Sequence, residues 1–339
     1  MIYFKYQLEY FQFSLINNNY IMKNSYSNIF TFNKKILSKT IKSLKNEGVI
    51  GLPTETVYGL GGNAYSKKAV RKIFKLKGRP QFNPLIIHYH NVKDAQKDVV
   101  SNKYFEKLYK LFCPGPITFV LKRKNTSKIS RYACANLKTV AIRFPKNKIA
   151  RSVLKKTGFP LAMPSANKSS NVSPVNSKDV YEEFKTKLKI IIDGGKCKVG
   201  IESTVIDLTS NPKILRPGVI DKKVIENSLK IKIKFHKKKS KILSPGMMKK
   251  HYSPGIPITI NQKKHDGKSA YIYIGNKHKN KKDFFSLSKK NNLFLAASNL
   301  YKIFRIIKKK GYKKIQINKI PNYGAGIAIN DRINRASKF

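Results

Sequence analysis

The stretch VIGLPTETVYGLGGNAYSKKAVRKIFKLKGRP (residues 49–80) decides the fold of this chain. Its apolar start predicts a buried strand, and the glycine-rich segment PTETVYGLGG (53–62) follows directly. Apolar residues then recur at helical spacing from Ser66 to Lys77, and Gly78 ends the predicted helix. A strand, a glycine-rich turn and a helix in succession indicate an α/β protein.

The same alternation extends on both sides of this stretch, from about residue 33 to residue 222. Apolar periodicity predicts helices at 33–46, 66–77, 147–156 and 176–188. Short apolar runs predict strands at 49–54, 84–90, 117–121, 139–144, 160–164, 189–193, 203–208 and 213–217. This pattern indicates one α/β domain, 28–222, with a mixed rather than purely parallel sheet.

A second, smaller α/β domain is predicted at 256–339. Residues 223–255 are rich in Lys and then punctuated by Pro and Gly, which indicates a linker. Beyond it, apolar runs predict strands at 256–260, 270–275, 292–297 and 314–320, with helices at 298–310 and 325–337. Residues 1–27 are expected to be an N-terminal extension, and Met22 is an alternative start that would leave its first part untranslated.

Composition and charge narrow the class of partner. A chain of 339 residues with 41% hydrophobic residues is long enough for two packed domains. Its 71 basic and 17 acidic residues give a net charge of +54, which favours nucleotides, RNA or acidic membranes as partners. The excess of Lys over Arg, with abundant Asn and Ile, is also what AT-rich codons produce. The charge alone therefore does not identify a partner.

Cysteine spacing and hydropathy indicate the compartment. Cys113, Cys134 and Cys197 stand far apart, so neither a disulfide framework nor a zinc site is expected. No apolar run reaches 18 residues, which predicts no membrane-spanning helix and no membrane partner. A reducing, cytoplasmic location fits this pattern.

Cations, hydroxyls and glycines recur at the ends of the predicted strands. Lys77 and Arg79 flank Gly78 in a proline-bounded loop, which suits triphosphate binding but is also an ordinary basic helix end. The turn MPSANKSSNVSP (163–174) offers hydroxyls and backbone N–H groups to phosphate oxygens, or is a plain loop. The turn at 53–62 is open to the same two interpretations, as a ligand loop or a tight turn.

Two strands carry single polar side chains among apolar neighbours. His88 and His90 face the same side, and substrate contact by one of them is favoured over a metal site. Arg143 needs a counter-ion, either a substrate carboxylate or a structural Glu. No nucleophile triad or carboxylate pair stands out, so residue chemistry alone predicts an α/β protein that handles anions or nucleotides.

Taken together, these segments resemble the two-domain threonylcarbamoyl-AMP synthases of the YrdC-like family, from about Lys34 to Ser253. The motifs that carry the resemblance are PTETVYGLG, KGRP with NPL, PGPITFVL, VAIRFP, PSAN, ESTVIDL, LRPG and SPGMMKKHYSPG. The resemblance implies a twisted, mixed open sheet with helices, a linker, and a small Rossmann-like accessory domain. The last 84 residues resemble that accessory domain only loosely and are shorter than usual.

The resemblance also implies a reaction and its participants. L-threonine, bicarbonate or CO2 and ATP would give threonylcarbamoyl-AMP and pyrophosphate, and Mg²⁺ would accompany ATP without a protein metal site. A partner transferase would then move the threonylcarbamoyl group to a tRNA adenosine beside the anticodon. The alternative is a non-catalytic RNA-binding or ribosome-assembly protein of the same fold, which would contact tRNA or double-stranded RNA. The related carbamoyl-transfer branch of hydrogenase maturation is disfavoured, because its paired zinc cysteines do not occur in this sequence.

Site residues follow from the motifs position by position. The resemblance assigns threonine binding to Thr56, His88, Arg143, Met163 and Ser203. It assigns ATP binding to Lys77, Arg79, Asn83, Thr139, Ser165, Ser173, Arg216 and Tyr252. The Lys-x-Arg and Ser-x-Asn pairs, namely Lys77, Arg79, Ser165 and Asn167, are assigned to catalysis. Because Tyr252 lies in the predicted linker, the linker is expected to fold over the nucleotide as a lid.

Overall fold

A computed structural model describes residues 26–236, 251–278 and 281–338, and the structural statements below concern these residues. The extension expected at 1–27 lies almost wholly outside them, as does the middle of the predicted linker, 237–250.

Eight of the nine α-helices in the described residues begin at a capping side chain, and the helix that begins at Ala325 has none. Asn33 caps the first helix by accepting a hydrogen bond from the Ile36 amide, and Ser66 caps the second in the same way. The helices are α1 (Lys34–Lys45), α2 (Lys67–Lys77), α3 (Val92–Gln96), α4 (Lys103–Phe112), α5 (Lys148–Thr157), α6 (Ser177–Phe184), α7 (Lys222–Leu229), α8 (Leu293–Lys309) and α9 (Ala325–Ala336).

A large mixed sheet carries the first part of the chain, which confirms the predicted fold class. Its strands are β1 (Ile29–Thr31), β2 (Ile50–Leu52), β3 (Gly59–Asn63), β4 (Ile86–His88), β5 (Ile117–Lys122), β6 (Thr139–Arg143), β7 (Leu161–Ala162), β8 (Ile191–Asp193), β9 (Thr204–Asp207), β10 (Lys213–Arg216) and β11 (Lys234–Phe235). In the described residues their order is β1-β8-β2-β3-β7-β4-β6-β5-β9-β10-β11, with parallel and antiparallel pairs.

The C-terminal part forms a separate parallel sheet. Its strands are β12 (Ile258–Thr259), β13 (Ala270–Tyr273), β14 (Phe284–Ser286) and β15 (Ile315–Ile317), in the order β12-β15-β13-β14. The strand predicted at 292–297 is wrong, because Asn292 caps α8 and the apolar run forms its first turns. A short apolar run fits either structure, and the capping side chain decides between them here.

The segment expected to be a linker begins with regular structure. Helix α7 spans Lys222–Leu229, and β11 adds to the main sheet beside β10. One continuous cluster of buried apolar side chains then joins the two sheets, running from Phe119 through Tyr252 to Phe304 and Ile329. The C-terminal part is therefore packed against the main sheet through a shared core.

Strand register brings distant polar residues onto one face of the main sheet. His88 on β4 pairs in register with Arg143 on β6, which pairs with Thr118 on β5. Thr118 in turn pairs with Val205 on β9, and Val205 with Arg216 on β10. Because paired residues point to the same face of a sheet, these side chains form one row across five strands.

Candidate active site

A cleft with about 510 Å³ of empty space opens on this face of the sheet. Predicted residues that line it are Arg79, His88, Arg143, Met163, Ser165, Arg216 and Tyr252. Lining residues that the sequence analysis did not assign are Thr54, Val57, Tyr58, Gly59, Ile86, Pro164, Glu202 and His251. Three arginines, two histidines and one carboxylate therefore face the same cleft.

The loop after α2 supplies two buried cations. Gly78 adopts a left-handed conformation (φ 57°) that ends α2 between Lys77 and Arg79. Lys77 Nζ donates to the backbone oxygens of Ser165, at 2.6 Å, and Asn167. Burial lowers the pKa of Lys77 well below 10.5, and the nearby Arg79 charge lowers it further. An arriving anion would relieve both effects.

Arg79 is held in one orientation by its own loop. Its Nε donates to the backbone oxygen of Asn83 at 2.9 Å, and its Nη2 donates to Asn83 Oδ1 at 2.6 Å and to the Pro84 oxygen at 2.8 Å. These partners are neutral oxygens, and burial lowers the pKa of Arg79 to about 9. A fixed, buried guanidinium is preorganised for phosphate.

The turn after β7 faces this loop. Asn167 donates from its side-chain amide to the backbone oxygens of Lys168, at 2.6 Å, and Asn171, at 2.9 Å, while its buried Oδ1 has no hydrogen-bond partner. Ser173 donates to Glu202 Oε1 at 2.6 Å, so its proton is already engaged. Ser165 stands at the edge of the cleft, paired with Gly59 of β3.

Arg143 has a structural counter-ion, which was one of the two alternatives left open by the sequence. Its Nη2 donates to Glu55 Oε1 at 2.7 Å, and both side chains are almost fully buried. The other Glu55 oxygen accepts the Lys146 amide at 2.9 Å, next to the start of α5. Nε of Arg143 is buried without a hydrogen-bond partner, so one donor on this guanidinium is unused.

His88 lies beside Arg143 in its neutral form. Burial lowers its pKa well below 6.5, and the Arg143 charge lowers it further. Nδ1 lies 3.2 Å from the Ile86 oxygen, which favours a proton on Nδ1 and leaves Nε2 as an acceptor. His90 does not line the cleft, and no group of three metal-ligating side chains occurs among the described residues.

Ser203 lies between Arg216 and Thr118 of the row. Arg216 donates from Nε to the Ser203 backbone oxygen and from Nη2 to Ser203 Oγ, both at 3.1 Å. Ser203 Oγ is also 2.7 Å from Thr118 Oγ1 on the neighbouring strand. Thr118, which sequence reasoning missed, therefore fixes the position of a predicted threonine-binding hydroxyl.

Tyr252 reaches the cleft from beyond the main sheet. It has a positive φ of 65°, and the Ser253 amide after it donates to the Ser170 oxygen at 2.9 Å. Its ring contacts His251, at 4.0 Å between centroids, and burial lowers the pKa of His251 to about 3. The lid predicted around Tyr252 falls partly on 237–250, outside the described residues.

The predicted site residues that do not line the cleft are Thr56, Lys77, Asn83, Thr139, Asn167, Ser173 and Ser203. Thr56 contacts Thr54, with 2.9 Å between their hydroxyl oxygens, and Thr54 lines the cleft. Ser203 lies behind Arg216. Thr139 is at the other end of β6, about 13 Å from Arg143 by strand rise, and its buried hydroxyl has no hydrogen-bond partner.

Glu202 is the acidic group of the cleft that sequence reasoning missed. It lies within the ESTVIDL motif, and its signal was only that carboxylates are scarce in this chain. Burial would raise its pKa, but the charges of Arg332 and Arg216 and the hydrogen bond from Ser173 outweigh this and lower the pKa to about 2. The carboxylate is ionised at neutral pH and belongs to an interdomain network.

Fold and cleft define an α/β protein whose site is built for anionic ligands. Comparison with known proteins gives the family. A family model described as "Telomere recombination" matches residues 42–218, and one described as "Threonylcarbamoyl-AMP synthase, C-terminal domain" matches residues 220–338. The chain belongs to the threonylcarbamoyl-AMP synthase family.

Individual relatives cover nearly the whole chain. A threonylcarbamoyl-AMP synthase of Pyrococcus abyssi is 34% identical over 316 residues, covering 86% of this chain and 91% of the relative. One of Bacillus subtilis is 32% identical over 322 residues, covering 87% and 90%. The crystal structure of P. abyssi Sua5 complexed with L-threonine superposes with a TM-score of 0.82 at 32% identity, covering 91% of this chain and 97% of that one.

Proposed function

We propose that this protein makes threonylcarbamoyl-AMP and pyrophosphate from L-threonine, bicarbonate or CO2, and ATP. One observation carries the proposal: Arg143 on β6 and Arg216 on β10 line a single cleft with two strands between them, and Arg79 lies near Arg216. A guanidinium suits a carboxylate, and two more suit a polyphosphate, so both anionic substrates can bind side by side. The relatives named for this reaction support the same assignment.

The chemistry consists of two bond-forming steps. The threonine amine adds to CO2 and loses a proton, which gives a carbamate. A carbamate oxygen then attacks the α-phosphorus of ATP, the new O–P bond forms, and the bond from that phosphorus to pyrophosphate breaks. Because both reactants are anions, catalysis needs positioning and charge neutralisation, and we assign this role to Lys77, Arg79 and Arg216.

The threonine end is assigned by donor and acceptor chemistry. We assign the amino-acid carboxylate to the unused Nε donor of Arg143 and a substrate hydroxyl or amine to Nε2 of His88. Ser203 and the backbone near Met163 complete this end. At the nucleotide end we retain Asn83, Thr139, Ser165, Asn167, Ser173 and Tyr252 as the ATP contacts implied by their motifs.

Mg²⁺ would have to be held mainly by ATP. Glu202 lines the cleft and Glu55 lies beside it, bound to Arg143, and each of these carboxylates already pairs with an arginine. No cage of carboxylates for a divalent ion occurs in the described residues. The protein groups therefore fit an ion that arrives bound to phosphate, where it would neutralise charge.

We also propose the later steps and setting that the reaction implies. A partner transferase would accept threonylcarbamoyl-AMP and modify a tRNA adenosine, in a reducing, cytoplasmic compartment. The surface charge leaves direct tRNA contact open to test. No helix among the described residues has the length and apolarity to cross a membrane.

Pyrophosphate release by the purified protein tests the proposal. We expect release only when threonine, bicarbonate and ATP are all present. Arg79→Met should reduce the rate by about a hundredfold or more, because it removes a preorganised charge at the phosphates. Arg131→Met, at an exposed position, is the matched control.

RNA affinity is measured on the same proteins. Release that does not depend on threonine contradicts the synthase assignment. A folded protein that binds ATP and RNA but releases no pyrophosphate supports the non-catalytic alternative.

A further inference from the structure

One side chain of the C-terminal helix α9 contacts Glu202 of the cleft, and the proposed function does not use it. Arg332 is completely buried. Its Nε donates to Glu202 Oε2 at 2.8 Å, and its Nη1 donates to the Pro217 oxygen at 2.9 Å and to Asp331 at 2.8 Å. One guanidinium thus joins α9 to the loops before β9 and after β10.

The neighbouring helix α8 contacts the same carboxylate. The Tyr301 hydroxyl lies 3.0 Å from Glu202 Oε2 and 3.2 Å from Oε1. Ser173, from the turn assigned to ATP, donates to Oε1 at 2.6 Å. Glu202 lines the cleft while accepting hydrogen bonds from both C-terminal helices, so it connects the accessory domain to the nucleotide end.

Tyr252 is held by the same two C-terminal residues. The Arg332 guanidinium lies 5.1 Å from the centre of the Tyr252 ring, which is cation–π distance. Tyr301 stacks on Tyr252 with centroids 5.9 Å apart and an angle of 24° between planes. These ring contacts join Tyr252 to both C-terminal helices, and its hydroxyl faces Arg216 of the cleft.

We propose that Arg332 is a positioning residue for the synthase reaction, holding Glu202 and Tyr252 so that the cleft closes around ATP. The inference rests on the proposed function and extends it to the C-terminal domain. Without Arg332, the Glu202 carboxylate is buried with one charge partner fewer and turns toward Arg216 or Ser173, both assigned to ATP. Tyr252 loses one of its two ring contacts at the same time.

If Arg332 had only a structural role, removing another side chain that joins the two domains should have the same effects as removing Arg332. Arg305 on α8 offers the comparison, because it also crosses to the main sheet, pairing with Glu183 at 3.3 Å and Asp179 at 3.6 Å. It donates to the Val172 oxygen at 2.7 Å and does not line the cleft. Losing Arg305 should weaken domain packing without moving Glu202 or Tyr252.

The test compares Arg332→Met, Arg332→Met with Glu202→Gln, and Arg305→Met. We measure melting temperature, KM for ATP, KM for threonine, and pyrophosphate released per threonylcarbamoyl-AMP recovered. Arg332→Met should lower the melting temperature and raise KM for ATP by about tenfold or more, the effect of one lost charged hydrogen bond. KM for threonine should change little, and more pyrophosphate should be released per product recovered, because a displaced Tyr252 admits water to the cleft.

The double variant separates folding from positioning. Removing the Glu202 charge should recover much of the melting temperature, since no buried carboxylate is left unpaired. KM for ATP and the product ratio should stay impaired, because Tyr252 is still not held. Normal ATP kinetics in the double variant, or equal defects in Arg305→Met, would overturn the inference.

ATP affinity measured by calorimetry without threonine makes the result independent of turnover. If the unchanged protein binds ATP but releases no pyrophosphate, the proposed function fails. In that case, weaker ATP binding by Arg332→Met together with normal ATP binding by Arg305→Met still supports the positioning role of Arg332. Equal ATP binding by all variants rejects that role.

Discussion

At the scale of single residues, several of the few acidic side chains are buried in the protein. Of 17 acidic side chains, Glu202, Asp98 and Asp207 are buried, and Glu55 is nearly so. Glu55 and Glu202 each neutralise an arginine of the cleft or beside it. Whether an arginine at the cleft is available to an anion therefore depends on whether a carboxylate already pairs with it, more than on the net charge of the chain.

Threonine binding should be thermodynamically coupled to the Glu55–Arg143 ion pair, because both Glu55 and threonine offer a carboxylate to Arg143. Glu55→Gln leaves Arg143 buried without a charged partner, which should destabilise the free protein by about 3–5 kcal/mol. Threonine, by supplying a carboxylate, should then raise the melting temperature of Glu55→Gln more than that of the unchanged protein. Thermal unfolding with and without threonine measures both effects.

The control is Glu183→Gln, which breaks a partly buried ion pair, with Arg305, outside the cleft. It should be destabilised without a larger threonine effect. Equal threonine-induced shifts in all three proteins would show that the substrate carboxylate binds elsewhere.

Acid should weaken the protein through Glu202. Its folded pKa of about 2 lies below the ordinary 4.5, so its stabilisation is complete above pH 4.5 and is lost as the pH falls toward 2. The full effect is about 3 kcal/mol. Glu202→Gln should flatten the decline of stability over this range, as measured by denaturant unfolding, and the exposed Glu106→Gln should not. An unchanged slope in Glu202→Gln would contradict the assignment.

At the scale of elements, two glycines of β3 differ in how closely Met163 packs against them. A Cβ on Gly59 would stand 2.3 Å from Met163 Cγ, whereas one on Gly61 would meet Met163 Sδ at 3.5 Å, an ordinary contact. Gly59→Ala should cost about 1–3 kcal/mol and raise KM for threonine by displacing Met163. Gly61→Ala should leave KM unchanged. Similar kinetics in both variants would remove Met163 from the threonine site.

Two helix ends offer a second matched pair. Gly78 ends α2 and Gly158 ends α5, both left-handed and with open space where a Cβ would lie. Alanine at either position should cost about 1–2 kcal/mol in backbone strain. Only Gly78→Ala should raise KM for ATP, because only Gly78 sets the directions of Lys77 and Arg79. Thermal unfolding measures the loss of stability, and steady-state kinetics measure KM for ATP. A raised KM for ATP in Gly158→Ala as well would show that backbone strain alone causes the kinetic defect.

Local pattern predicted most elements of the main sheet but few contacts. The run at 84–90 contained β4, and the periodicity at 66–77 contained α2, because both signals lie within a few residues. The segment 292–297 was wrong because an apolar run does not distinguish a strand from the start of a helix. The role of Glu202 was invisible because its partner Arg332 lies 130 residues away, and no local spacing encodes such a contact.

At the scale of the whole molecule, the large excess of positive charge should destabilise the folded state. With a net charge of +54, self-repulsion favours the unfolded chain. Raising NaCl from about 0.01 M to about 1 M shortens the screening length from about 30 Å to about 3 Å and should raise the melting temperature. A neutral osmolyte at matched osmolality controls for solvent exclusion. A falling melting temperature would mean that ion pairs outweigh the repulsion.

The contact between Glu202 and Arg332 also has a consequence for how the protein is made. A ribosome must synthesise the chain through Arg332 before the carboxylate beside the cleft can meet its partner. The pairs Glu55 with Arg143 and Lys77 with Ser165, each 88 residues apart, can form much earlier during synthesis. A nascent chain can therefore form both of these contacts before the Glu202 carboxylate can pair with Arg332.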